Sequence, residues 1–184
     1  MLTVVGKGNL EDWEDYEVDD LTKRTNRKKG VNGNSKGKRG ERGLAEIFTK
    51  RFGETFSRTI GSGNRWSQVN LSETAQNIFS GDLVTPDNFA FVLECKSGYN
   101  KITLDGVFEG GNSDLDDFID QVKKDAKRTK KKPMLLWKRD RKPWLAFLKS
   151  DDLIGEYEYA LKYRDWTAVP LKKVLELPNE FFFR

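Results

Sequence analysis

The sequence predicts an α/β domain in which a mixed central β-sheet is flanked by helices, with a flexible basic arm at its N-terminus. Three observations predict it. Apolar residues recur at helical spacing in two separate stretches, runs of strand-forming residues follow each of them, and the residues before position 36 hold too little apolar surface to build a core.

The first helix follows from Leu44, Ile47, Phe48 and Phe52, three and four residues apart, and should stop at Gly53. Phe56 to Ile60 reads as a short strand, and Gly61-Ser62-Gly63-Asn64 as a turn whose glycines permit close approach of a backbone or a phosphate. Asp82-Leu83-Val84, the turn Thr85-Pro86-Asp87-Asn88 and the apolar run from Phe89 to Lys96 read as strand, tight turn, strand. Leu115, Phe118, Ile119, Val122 and Ala126 share one face of a second helix, which Ser113 or Asp114 can cap. Pro133–Trp137 and Trp144–Leu148 then read as strands joined by the basic Lys138-Arg139-Asp140-Arg141-Lys142.

The chain of 184 residues is 36% apolar and 34% charged, which suits one domain and a tail. It has one cysteine and no histidine. That composition excludes an intramolecular disulfide, a Cys/His zinc site and any histidine-activated nucleophile. Catalysis would have to rest on carboxylates, lysines, hydroxyls and a hard metal. No run of 18 apolar residues and no signal-peptide pattern is present, so a cytoplasmic setting is expected.

The net charge of +4 is unevenly spread. Glu11 to Asp20 holds seven acidic residues and no basic one, whereas Lys23 to Arg42 holds nine basic residues against Glu41 alone. Residues 1–35 are therefore read as an acidic and then basic tail, and 36–184 as the folded domain with a C-terminal extension. Further basic runs, Lys123 to Lys132 and Lys138 to Lys142, lie near Trp137 and Trp144, a composition that suits phosphate-backbone binding. The acidic stretch reads as a solubilising tail in preference to a mask over those surfaces. Phe181-Phe182-Phe183 should pack on the core or on a second copy, with docking to another protein as the alternative.

An apolar strand that suddenly gains charge is informative, because a buried ion is costly unless paired or metal-bound. Glu94 and Lys96 end such a strand and project to one face, while Cys95 faces the other and is expected to be a buried, inert thiol. Asp82 on the adjoining strand can join them, and two carboxylates beside a lysine suit Mg²⁺, which prefers oxygen ligands.

Asp82, an eleven-residue gap and Glu94-Cys95-Lys96, preceded by a helix carrying Glu41, resemble the PD-(D/E)XK nuclease signature. Within that superfamily the chain looks most like the archaeal-type Holliday-junction resolvases, through Lys36-Gly37-x-x-x-Glu41-Arg42, Arg58-x-x-Gly61-Ser62-Gly63, Gly81-Asp82 and Phe91-x-x-Glu94-x-Lys96-Ser97. Gly81 stands where the family name has proline. The literal Pro86-Asp87 pair is better read as a turn, and Glu46 competes with Glu41 for the helix carboxylate.

The resemblance implies a restriction-endonuclease-like core and a metal-dependent DNA endonuclease acting as a homodimer on branched DNA. Glu41, Asp82 and Glu94 would be the metal-site carboxylates, Lys96 the catalytic lysine and Ser62 a further catalytic residue near the scissile phosphate. Mg²⁺ is the implied cofactor, with Mn²⁺ as a substitute. Lys36, Lys38, Arg39, Arg42, Arg58, Lys123, Lys127 and Arg128 are the expected DNA contacts, and Gln121 on the second helix is a weaker candidate for the site. The alternatives are a restriction, nicking or repair nuclease of the same superfamily, or a non-catalytic nucleic-acid-binding protein.

Overall fold

The computed structural model describes residues 33–59, 80–103, 106, 111, 113–153, 155 and 157–184, all within one compact unit, Asn32–Arg184. Helix α1 (Gly33–Phe52) is followed by β1 (Ser57–Arg58), β2 (Leu83–Val84) and β3 (Phe91–Ser97). Then come α2 (Ser113–Thr129), β4 (Lys132–Lys138), β5 (Leu145–Lys149), β6 (Leu161–Tyr163), β7 (Trp166–Pro170), α3 (Leu171–Leu175) and α4 (Asn179–Phe182).

Five strands form one sheet in the order β3-β4-β5-β7-β6. The β3/β4 pair is parallel and the others antiparallel, so α2 is the crossover of a β-α-β unit and the sheet is mixed. The α/β core flanked by helices is therefore as expected. Among the described residues no helix is long and apolar enough to cross a membrane.

Alternation along β3 sorts the two faces. Phe91, Leu93 and Cys95 pack with Leu44 and Phe48 of α1, while Val92 packs with Leu115, Ile119 and Val122 of α2. Glu94 and Lys96 share Val92's side and so point toward α2. The ends of α2 suit its dipole, with Asp114 and Asp116 in the first turn and Lys127 and Arg128 in the last. Helix α1 stops at Gly53, whose φ of +71° is a left-handed cap and whose N–H donates to the Thr49 carbonyl at 2.8 Å.

One boundary differs from the expectation. Gly33 to Ser35, read as the end of the N-terminal tail, already belong to α1. Its glycines disfavour helix intrinsically, but tertiary contacts compensate: a Cβ on Gly40 would lie 3.2 Å from that of Ser97 and 3.5 Å from the Trp144 ring, so glycine lets the helix lie close against β3. The Phe181–Phe183 segment packs on the core, the first of the two placements expected for it. Phe182 is fully buried with its ring centroid 4.7 Å from that of Phe52, and Phe181 packs 5.2 Å from Phe91. Backbone bonds also tie it down, from Ala90 N to Phe182 O at 2.7 Å and from Arg184 N to Asn88 O at 2.9 Å.

Strands β6 and β7 and the two C-terminal helices were not anticipated. Arg51 fastens α1 to those helices, donating to the Leu175 and Leu177 carbonyls at 2.6 and 3.0 Å.

Candidate active site

β3 is an edge strand of the five-stranded sheet, so its outer N–H and C=O groups need other partners. Asp82 supplies them. Its N–H donates to the Leu93 carbonyl at 2.8 Å, and its Oδ2 accepts from the Cys95 N–H at 2.8 Å. The carboxylate is thereby laid along the strand that carries Glu94.

Gly81 permits this approach. Its φ is +76°, and an added Cβ would sit 2.5 Å from the Leu93 carbonyl oxygen and 2.9 Å from Val92 Cγ2. Proline, locked near a φ of about −65°, cannot adopt that conformation. Glycine at this position is therefore a geometric requirement of how Asp82 reaches β3.

Glu94 is 1% exposed. Its Oε1 accepts from the Lys96 ammonium at 2.5 Å, whereas Oε2 is buried with no hydrogen-bond partner. Lys96 also donates to Gln121 Oε1 at 3.1 Å and lies 5.1 Å from the centre of the Phe118 ring. Helix α2 thus positions the lysine from below with one polar and one aromatic side chain.

Burial pushes the Glu94 carboxyl up to about 8, and the neighbouring Asp82 charge adds to the rise against the opposing pull of Lys96. Burial likewise pushes Asp82 up to about 6; the Cys95 N–H opposes this and the Glu41 charge reinforces it. Burial lowers the Lys96 ammonium, but the Glu94 carboxylate and its hydrogen bond outweigh it and hold Lys96 above the usual lysine range. Burial and the surrounding carboxylates raise the Cys95 thiol, which makes it a poor nucleophile.

A hard divalent cation fits this arrangement. It would take up the orphaned Glu94 oxygen, with Asp82 as second ligand. Two carboxylates leave most of such an ion's coordination sphere to water, which suits an ion that retains several waters.

The structure thus brings together Asp82, Glu94, Lys96 and Gln121. Glu41 is felt by Asp82 through its charge but is ion-paired with Arg58 Nε. Ser62 lies outside the described residues. Lys36 pairs with Asp140, and Arg128 with Asp125 and, at 2.8 Å, with Ser80 Oγ. Lys123 lies 3.7 Å from Asp120 and over the Trp166 ring. Lys38, Arg39, Arg42 and Lys127 are exposed, as are the rival carboxylates Glu46 and Asp87.

Phe118 and Tyr99 are the site neighbours that pattern reasoning passed over. Phe118 reads as a core residue at helical spacing, and only the placement of α2 under Lys96 distinguishes it. Tyr99 is 46% exposed and packs edge-on against Phe118, with centroids 4.7 Å apart.

The family described as "Phage putative PDDEXK endonuclease" matches residues 32–179. Protein D14 of Escherichia phage T5 is 29% identical over 126 residues, which span 66% of this chain and 74% of that protein. No solved structure matches the chain. Since α1, the strand bearing Glu94 and Lys96, and the whole mixed sheet fall inside the matched span, the chain belongs to the phage PDDEXK endonucleases, within the PD-(D/E)XK nuclease superfamily.

Proposed function

We propose that this endonuclease hydrolyses DNA phosphodiesters with Mg²⁺, or Mn²⁺ in its place, and that four-way junctions are its preferred substrate. The observation that carries the metal reading is the Glu94 Oε2 atom, buried without a partner beside a second carboxyl of raised pKa. When bound, the ion supplies a Lewis acid that polarises the phosphodiester and eases deprotonation of an attacking water.

The chain's own residues do the rest. Asp82 and Glu94 would hold the ion, and Glu41 would add a third negative charge from α1. Lys96, kept as an ammonium by Glu94, offsets the charge that grows on the phosphate in the transition state. Gln121 fixes the rotamer of Lys96. Arg58, next to Glu41, and Ser62 attend the scissile phosphate, while Lys36, Lys38, Arg39, Arg42, Lys123, Lys127 and Arg128 follow the backbone.

The junction preference rests on the likeness of Lys36-Gly37-x-x-x-Glu41-Arg42 and of Phe91-x-x-Glu94-x-Lys96-Ser97 to archaeal-type resolvases. A homodimer would set two such sites on opposing strands of a two-fold symmetric branch. The test is incubation with a four-way junction, a linear duplex and a single strand, with Mg²⁺ or EDTA, alongside light scattering for the oligomeric state. Paired symmetric nicks on the junction alone are expected. Cutting of plain duplex favours a restriction or repair role, and binding without any cut overturns the enzymatic reading. Asp82→Ala, Glu94→Ala and Lys96→Ala should each abolish cleavage and preserve junction binding, whereas Asp87→Ala should cleave normally.

A further inference from the structure

The end of the sheet just beyond Lys96 carries a cluster that the proposed chemistry does not use. Lys96 is in register with Trp137 and Ser97 with Lys138, and Gly98 N donates to the Lys138 carbonyl at 2.9 Å. The β4–β5 connection, Arg139-Asp140-Arg141-Lys142, therefore begins level with the residue after the lysine. Asp140 is its one acid, and that acid is engaged elsewhere. It pairs with Lys36 at the start of α1, accepts from Asn100 Nδ2 at 3.0 Å, and its own N–H donates to Asn100 Oδ1 at 3.0 Å.

Three chain segments are thus latched together: the start of α1, the β4–β5 turn and the loop leaving β3. With Asp140 turned to that task, Arg141 and Lys142 are exposed and Arg139 half-buried, and none of the three forms a salt bridge among the described residues. Tyr99 stands next to Asn100 with φ +52°, held by the Phe118 ring that also underlies Lys96.

We propose that this latched turn is a second DNA-binding element, in which Arg139, Arg141 and Lys142 grip backbone phosphates of the arm flanking the cut and Tyr99 lies against the sugar or base nearest the scissile bond. The proposal rests on the nuclease reading for its substrate, and it commits to nucleic-acid phosphates because three cations that form no salt bridge among the described residues adjoin an exposed aromatic beside the site. Asp140 and Asn100 are positioning residues, rigidifying the turn without touching DNA.

The test compares the full chain with an Arg139→Gln/Arg141→Asn/Lys142→Gln variant; asparagine tolerates the φ of +57° at position 141. Binding of a fluorescent four-way junction is followed by anisotropy in EDTA across a salt series. Removing three phosphate contacts should reduce the slope of log K against log salt by about 2 to 3 and weaken binding roughly 10- to 100-fold at 0.1 M salt. The single-turnover cleavage rate at saturating DNA should stay within about threefold, because the site residues are untouched. A slope unchanged to within about 0.5, or a saturating rate that falls as far as the affinity, overturns the proposal. Asn100→Ala, which leaves every charge in place, should weaken binding with an unaltered slope. Failure of the wild-type chain to cut any DNA would instead overturn the nuclease reading, and the EDTA binding arm still decides the platform.

Discussion

Replacing Glu94 by glutamine should make the metal-free protein more resistant to alkaline pH. Glu94 and Asp82 both titrate above their unfolded ranges, so between about pH 4 and 8 the folded protein binds more protons than the unfolded chain. Stability therefore falls as pH rises through that window. For Glu94, the rise from 4.5 to about 8 sets a ceiling of about 5 kcal/mol at roughly 1.4 kcal/mol per pH unit. The Lys96 pair is lost as an ion pair in the variant, although glutamine still accepts its hydrogen bond, so the net gain is smaller. Urea unfolding in EDTA at pH 5, 7 and 9 should show wild type losing about 2–3 kcal/mol more than Glu94→Gln across the series. Millimolar Mg²⁺ should restore much of that loss in wild type and little in the variant. Parallel pH profiles for the two proteins would refute the buried-carboxyl account.

Lys96→Met should reduce single-turnover cleavage by at least about 100-fold, the scale of losing one charge-stabilising group, with DNA affinity changed less than about threefold. Gly81→Ala should destabilise the fold by about 2–4 kcal/mol in urea, since it meets both a positive φ and a 2.5 Å contact with the Leu93 carbonyl. Phe182→Ala, which empties a fully buried ring site, should cost about 3–5 kcal/mol in the same assay.

The parts of the fold carried by strong local periodicity are legible in the sequence. Both long helices, the apolar β3 and the β4–β5 pair follow from residue spacing, and the projection of Glu94 and Lys96 to one face follows from strand alternation. Missing was everything decided by distant partners. Strand β6 is three residues long and β7 is Trp-Thr-Ala-Val-Pro, too short to show a period. The start of α1 is rich in glycine, which conceals its helical character, and the close approach that favours glycine at position 40 involves Ser97 and Trp144 far along the chain. At the site, Gln121 and Phe118 become neighbours of Lys96 only through the β3-α2-β4 crossover; the family resemblance marks Gln121, and nothing local marks Phe118. Gly81 is the reverse case: its departure from the family's proline becomes intelligible once its backbone angle is known.

The partners along the outer edge of β3 and its lead-in also fix when the site can be assembled. One backbone bond to that edge comes from Asp82, eleven residues before Leu93, but the lead-in at Asn88 and Ala90 is closed by Phe182 and Arg184, more than ninety positions later. Loop-closure entropy must be met before such distant contacts stabilise anything. A nascent chain that has emerged only through α2 already contains every residue proposed for the catalytic site, yet lacks β4, which flanks β3, and the aromatic segment that seals its approach. Cutting competence therefore arrives late in folding, and pulse-labelled hydrogen exchange should find the amides of residues 88–95 and 181–184 gaining protection together.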